Sequence, residues 1–341
     1  MFAQKTGILL INTGSPDSPS VPDVKNYLRQ FLWDHRVIDL APIPRWLLLN
    51  LVILPRRPKE SAHAYSQIWT DRGSPLIFHS EDFRDGLRKR LPDSLIEIGM
   101  AYGKPSIPSA IDSLLKQEVN RIVLAPMFPQ YASATFGAVL EVAHKHLSTK
   151  LNVPPSTSIA PYYNHPLFLD AWAANIKTQL DTYKPDHIVL SFHGLPERHI
   201  KNCDPTGKAC LQKNDCCERY LEHNPSCYKA HCLATAKGII ERLGLVEGTY
   251  TVSFQSRLGK DPWIGPATDD SIDALAQSGV KRLAVLSPAF VADCIETIEE
   301  IGIQACESFE ENGGESFELL PSLNSEDTWI DAFAEILKES M

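Results

Sequence analysis

His193 closes the apolar run His187-Ile-Val-Leu-Ser-Phe-His193 and is followed at once by Gly194-Leu-Pro-Glu197. A histidine at the carboxyl end of a strand, ahead of a glycine turn, presents its imidazole to the crevice beyond the sheet. Imidazole is also the side chain best suited to accepting a proton near neutral pH. The plainer alternative is a ring satisfied by a loop carbonyl. Asp293, Glu296 and Glu300 follow a second apolar run that ends Ser287-Pro-Ala-Phe290. Their i, i+3, i+7 spacing predicts three carboxylates on one helical face. Carboxylates near a helix N-terminus are ordinarily solvated and favourable. A row of them beside a histidine suits a divalent cation or a path for protons.

The chain has eight cysteines, and six of them (Cys203, Cys210, Cys216, Cys217, Cys227 and Cys232) fall in one stretch. In a cytoplasmic protein such clustering reads as metal binding before disulfides.

These side chains need elements to position them. Apolar β-rich runs alternate with helical periodicity almost throughout. Strands are predicted at Gly7–Asn12, Leu95–Tyr102, Arg121–Phe128 and Ser156–Tyr162, then at His187–His193, Tyr250–Ser256, Arg282–Phe290 and Ser316–Leu323. Helices are predicted at Ser80–Leu91 (with Ser80 as N-cap), Tyr228–Leu245, Asp269–Ser278, Asp293–Asn312 and Ser325–Ser340. Four strands with crossover helices, twice over, predict an α/β protein of two doubly wound, Rossmann-like domains, each a four-stranded parallel sheet flanked by helices. The expected boundaries are 1–162, 163–324 and a closing helix at 325–341. Ligands of such folds bind beyond the carboxyl ends of strands, where the strand order reverses. In a 2-1-3-4 sheet the ends bearing His193 and the carboxylates flank that point.

With 341 residues, 43% hydrophobic and 22% charged, the chain can bury a substantial core. A net charge of −9 argues against a nucleic-acid binder. The longest apolar run, Trp46–Leu54, is far shorter than the ~20 residues of a membrane span. The expected location is therefore cytoplasmic. Residues 41–57 form an apolar lip ending in basic residues, either packed on the core or resting on anionic lipid at the inner membrane.

Two loops at strand ends combine rigid backbone with aromatic and hydroxyl groups. One runs Phe254-Gln-Ser-Arg257 to Asp261-Pro-Trp-Ile-Gly-Pro266; the other runs Pro126-Met-Phe-Pro-Gln-Tyr131 to Ser133-Ala-Thr-Phe136. Such walls suit a large, flat, apolar ligand. Several segments in order along the chain resemble ferrochelatase motifs: Tyr27-Leu-Arg-Gln-Phe-Leu32 with Val37-Ile-Asp39, Tyr65 with Gly73-Ser-Pro-Leu76, His193-Gly-Leu-Pro-Glu197, Phe254-Gln-Ser-Arg257 with Trp263, and Ala292-Asp-Cys-Ile-Glu-Thr297. The resemblance implies a porphyrin held between two Rossmann-like domains, His193 as catalytic histidine and Glu296 as its acidic partner. Glu300 and Asp293 would guide Fe²⁺ or protons. Tyr27, Tyr65, Ser74, Pro75, Tyr131, Ser133, Trp263 and Pro266 would contact porphyrin. The implied reaction inserts Fe²⁺ into protoporphyrin IX or coproporphyrin III.

By the same resemblance, residues from about 206 to 227 are an insertion after Cys203-Asp-Pro205. Ala132 and the chain end at Met341 lack the cysteines of the animal pattern. The block has too few apolar residues to form a core, so something must order it. Cys210, Cys216, Cys217 and Cys227 supply the four thiolates of a [2Fe-2S] cluster. Neighbouring side chains diverge at Cys216-Cys217, so Cys203 and Cys232 stand in reserve, and zinc is the alternative metal. Two rivals remain: a two-domain solute-binding or metal-binding protein without catalysis, and an iron–sulfur redox protein built on the cysteines alone.

Overall fold

The computed structural model describes residues 5–257, 259 and 261–341. Among the described residues, eight strands form two four-stranded parallel sheets. In the first, β1 (Thr6–Asn12), β2 (Ser94–Met100), β3 (Arg121–Pro126) and β4 (Ser156–Ser158) lie in the order β2-β1-β3-β4. The second contains β5 (His187–His193), β6 (Tyr250–Gln255), β7 (Arg282–Leu286) and β8 (Ser316–Leu319) in the order β6-β5-β7-β8. Both orders reverse beside the first strand, as a doubly wound sheet requires. β1 is buried along its whole length because helices cover both faces, which is why it reads as a continuous apolar run.

The chain divides into two compact units. Unit 1 comprises residues 1–128, 133–160 and 325–341; unit 2 comprises 129–132 and 161–324. In unit 1, Leu9, Ile11, Ile122 and Leu124 of the sheet pack with Ile107, Ile111 and Leu114 of the helix Ile107–Lys116. The closing helix Asp327–Lys338 packs in the same unit. Its Trp329 stacks on Phe83 at 5.7 Å, and Arg90 donates to Asp331 at 2.8 Å. An aromatic pair of this kind adds roughly 0.5–1.5 kcal/mol beyond its buried area. In unit 2, Val189, Leu283 and Val285 pack with Ile272, Ile301 and Phe309.

Local chemistry shifts several element ends. β7 stops at Leu286 because Pro288 has no N–H to donate. The helix expected from Ser80 starts at Pro75, with Ser74 at the N-cap position and the proline in the first turn. Ser80 lies inside that helix and donates back to the Leu76 carbonyl at 2.6 Å. The expected helix 293–312 is three pieces: an α-turn Ile295–Ile298, a π-helical stretch Glu300–Ala305 and an α-segment Cys306–Glu311.

The apolar lip is an α-turn Pro42–Leu47 running into a π-helical stretch Leu48–Ile53. Leu49 and Leu54 are buried, whereas Ile43, Trp46, Leu47, Leu51 and Val52 are exposed. Arg45, expected among the basic residues bounding this patch, is instead buried. Its guanidinium lies 4.8 Å from the Trp33 ring centroid. Arg56 and Arg57 are exposed and keep the patch basic at one end. Among the described residues no helix is long and apolar enough to cross a membrane.

Candidate functional site

In unit 2 the ends of β5 and β6 are in register, His193 opposite Gln255. His193 Nδ1 lies 2.6 Å from the Gly194 carbonyl oxygen. A carbonyl only accepts, so this bond holds the proton on Nδ1 and leaves the Nε2 lone pair to act as base. The Tyr228 hydroxyl donates to the His193 carbonyl at 2.7 Å and fixes the backbone there. Gly194 is required for packing: a Cβ would meet the Gln255 carbonyl oxygen at 2.8 Å and the Trp263 ring at 3.1 Å.

Glu300 opens the π-helical stretch and reaches back to the end of β6. Its carboxylate accepts the Ser256 N–H and hydroxyl, both at 2.6 Å, and Gln255 Nε2 at 3.2 Å. Gln255 also donates to the Glu296 carbonyl at 2.7 Å, while its own amide oxygen accepts from Ser191 at 2.9 Å. Ser256 makes its two bonds from a left-handed backbone, with φ of 66°. Burial raises the Glu300 pKa above the usual carboxylate range. The Ser256 and Gln255 donors and the His193 charge oppose that rise, and neighbouring Glu296 adds to it. His193, Glu296 and Glu300 are thus brought together.

Asp293 is not part of this row. The helix begins only at Ile295, so the i, i+3, i+7 relation does not reach it. Its carboxylate instead accepts from Thr297 Oγ1 at 3.0 Å, the Ser322 N–H at 3.3 Å and Asn324 Nδ2 at 2.7 Å, pinning the helix start to the loop after β8. Among the described residues, no three His, Cys, Asp or Glu side chains are spaced to hold one metal ion together.

A pocket of about 260 Å³ opens beside this cluster, lined in part by Gly194, Phe254, Gln255, Arg257, Trp263 and Ile264. Trp263 also bridges to Pro196, and the Pro266 carbonyl accepts the Phe254 N–H at 2.8 Å. In unit 1, Tyr27 and Tyr65 are brought together edge-on, 6.3 Å apart, and both are buried. Ser74 and Pro75 are buried at the start of their helix. Ser133 accepts from Arg36 at 2.8 Å, which leaves its hydroxyl proton available to a ligand.

The profile of the Ferrochelatase family matches residues 5–341. The chain belongs to the ferrochelatase family. It is 43% identical to a ferrochelatase of Pseudomonas putida (strain F1) over 335 residues, 98% of each chain. It is 46% identical to one of Azotobacter vinelandii (strain DJ), covering 97% of this chain and 98% of that one. Among solved structures, SirB from Bacillus subtilis with Fe³⁺ superposes with a TM-score of 0.56 over 98% of this chain and 95% of that chain. At 11% identity that likeness shows the fold alone.

Within this family framework the cysteine-bearing segment is ordered by hydrogen bonds of its own. Asp204 accepts the N–H groups of Thr206, Ala209 and Cys210, each at 2.9 Å. Asn224 Nδ2 donates to Cys210 Sγ at 3.5 Å. The expected divergence at Cys216-Cys217 does not occur: the two sulfurs are 3.9 Å apart. Burial, joined by Cys216, pushes the Cys217 thiol up to about 12. Burial also pushes Cys227 up to about 12, with Cys210 and Cys217 adding to it. Cys217 thus neighbours Cys216 and Cys210, and Cys227 neighbours Cys210 and Cys217. Cys232 is fully buried beside Tyr228 in the helix Tyr228–Leu243, and Cys203 caps the short helix Glu197–Asn202.

Sequence reasoning missed three residues: Gln255 and Ser256, which hold Glu300, and His231, which is buried in the first turn of the helix Tyr228–Leu243. Aligning the ends of β5 and β6 exposes Gln255 as the neighbour of His193. The left-handed backbone of Ser256 has no signature in residue type.

Proposed function

We propose that the chain inserts Fe²⁺ into protoporphyrin IX, forming protohaem and releasing two protons. The observation that carries this reading is the His193 imidazole, its Nδ1 bonded to the Gly194 carbonyl, beside a buried Glu300 whose hydrogen-bond donors are neutral. Each pyrrole N–H proton passes to His193 Nε2, and the nitrogen lone pair left behind binds the metal. The imidazolium formed is stabilised by Glu300 and Glu296, whose carboxylates can take the proton on, freeing His193 for the second pyrrole. Glu300 suits that transfer because neutral donors hold it, so gaining or losing a proton does not break an ion pair. Macrocycle contact is assigned to Trp263, Pro266 and Tyr131 of unit 2 and, from the family motifs, to Tyr27, Tyr65, Ser74, Pro75 and Ser133 of unit 1. Binding a bent macrocycle turns nitrogen lone pairs out of plane, a form of complementarity to the transition state. The test mixes purified protein anaerobically with Fe²⁺ and either protoporphyrin IX or coproporphyrin III and follows loss of the free-base spectrum. Turnover of coproporphyrin III alone would replace the substrate; turnover of neither would overturn the enzyme reading.

We also propose that the four clustered thiols hold a [2Fe-2S] cluster. Such a cluster takes two thiolates at each iron. Cys216 with Cys217, and Cys210 with Cys227, are two close pairs. Bound iron would reverse the upward direction at Cys217 and Cys227, since a coordinating thiol is deprotonated. Anaerobically purified protein should be brown, with iron and acid-labile sulfide in equal amounts. Cys210→Ser or Cys227→Ser should bleach it, whereas Cys294→Ser and Cys306→Ser should not; colourless protein with stoichiometric zinc decides against the cluster.

The exposed face of residues 43–52 supports a third, smaller proposal, shallow docking on anionic lipid. Leu47→Glu/Leu51→Glu should abolish flotation with anionic vesicles. Equal flotation of parent and variant counts against it.

A further inference from the structure

The proton chemistry leaves one buried histidine unused. His231 is 1% exposed, in the first turn of the helix Tyr228–Leu243. Its Nδ1 accepts the Tyr131 N–H at 3.1 Å, and its Nε2 donates to the Pro225 carbonyl at 2.7 Å. A backbone amide only donates and a carbonyl only accepts, so the two bonds together fix the neutral Nε2–H tautomer. The ring lies flat on Tyr163, centroids 3.6 Å apart and planes within 7°. The Tyr163 hydroxyl in turn lies 2.7 Å from that of Tyr220 in the cysteine segment.

Both backbone partners of the ring sit at joints. Pro225 follows Asn224, which bonds Cys210 Sγ, and it precedes Cys227 by two residues. Tyr131 belongs to the short stretch Pro129–Ala132 of unit 2, which Gln130 also anchors by donating to Thr235 at 3.0 Å. One unbroken line therefore runs from Cys210 Sγ through Asn224, the Pro225 carbonyl and the His231 ring to the Tyr131 amide. All of it lies within unit 2.

We infer that His231 is a positioning residue that ties the cysteine segment to the loop bearing Tyr131, so that the state of the thiols sets how firmly that loop is held. The consequence for substrate rests on the porphyrin-binding role proposed above for Tyr131; the tether does not. The physical case is one of rigidity. An imidazole offers an acceptor and a donor at fixed reach on one flat ring, and stacking on Tyr163 removes its freedom to turn. When the segment shifts, the Pro225 carbonyl withdraws, the ring loses one of its two anchors, and the part-buried Tyr131 amide loses a fixed acceptor.

Amide hydrogen exchange resolved at Tyr131 tests the tether without reference to turnover. His231→Phe keeps a flat ring against Tyr163 and removes both nitrogens. It should speed exchange at Tyr131 about tenfold or more, because the amide loses the Nδ1 acceptor that protects it. His231→Asn, whose side-chain oxygen sits near the place of Nδ1, should restore most of that protection, and it serves as the readable variant if the phenylalanine form folds poorly. Cys210→Ser should speed exchange at Tyr131 in the parent and add nothing in the His231→Phe background. The KM for porphyrin should rise in His231→Phe with the KM for Fe²⁺ unchanged. Unchanged exchange at Tyr131 in both His231 variants overturns the tether. Exchange that responds to His231 but not to Cys210→Ser overturns the link to the cysteine segment. Faster exchange with an unaltered porphyrin KM upholds the tether and overturns the role of Tyr131 in binding porphyrin.

Discussion

The two units place a π-helical stretch at the same topological station, after the third strand of each sheet, and fill it with opposite electrostatics. In unit 1 the stretch Ser133–Gly137 follows β3, and the nearby carboxylate is Glu141. It receives Arg36 Nε at 2.6 Å and also the Lys145 ammonium, which together hold it down to about 2. In unit 2 the stretch Glu300–Ala305 follows β7, and Glu300 is held by a hydroxyl, an amide N–H and a carboxamide, with His193 as its nearby charge. Burial then raises it rather than lowering it. The first strands differ likewise: β5 ends on His193, whereas β1 ends on Asn12, whose side-chain oxygen accepts the Thr13 N–H at 2.8 Å. One sheet order thus carries an ion-paired carboxylate in one unit and the proposed acid–base site in the other. Chemistry follows the partners of a carboxylate rather than its place in the fold.

The largest test of that contrast removes the base. His193→Ala should lower chelation by ~10²–10⁴-fold with the fold intact, the usual range for a general acid–base group. Glu296→Gln should lower turnover severely as well, since it removes charge at nearly constant volume. Parental rates in His193→Ala, with folding verified by circular dichroism, would move the chemistry away from the ends of β5 and β6.

Much of this contrast was legible in the sequence. The continuous apolar runs marked β1 and β5 almost to the residue, because strands buried on both faces carry no alternation to obscure their ends. The turn at Gly194 marked His193 as the last residue of its strand. The acidic row was half right. Residue spacing measures a regular 3.6-residue helix, and it reports neither an α-turn that starts late, which excludes Asp293, nor a π turn that re-aims Glu300 toward β6. The Gly73-Ser-Pro sequence already carried the true start of the helix Pro75–Arg90, through the preference of proline for the first turn. Of the two cations beside Glu141, Lys145 stands one turn on at i+4 and is readable from spacing, whereas Arg36 lies 105 residues away in sequence and only the fold brings it there.

The finest test applies one substitution to both carboxylates and reads stability against pH. Glu300 has a raised folded pKa, so its contribution is fully present below the ordinary carboxylate range and is lost as pH rises through the raised value. The stability of Glu300→Gln relative to the parent should therefore increase with pH across that interval, while its turnover falls. That is the trade expected where a strained group serves chemistry. Glu141 has the opposite sign. Its contribution is present above the ordinary range and is lost as pH falls toward about 2. Glu141→Gln should therefore be less stable than the parent at neutral pH, with the deficit closing as the solution is acidified. The pair is partly exposed and screened, so the deficit should be about 1 kcal/mol or less, within reach of urea unfolding followed at several pH values. Opposite slopes for the two variants sustain the distinction between a paired scaffold carboxylate and a buried proton-exchanging one. Parallel slopes would show that Glu300 behaves as a paired carboxylate, and that its place beside His193 is structural.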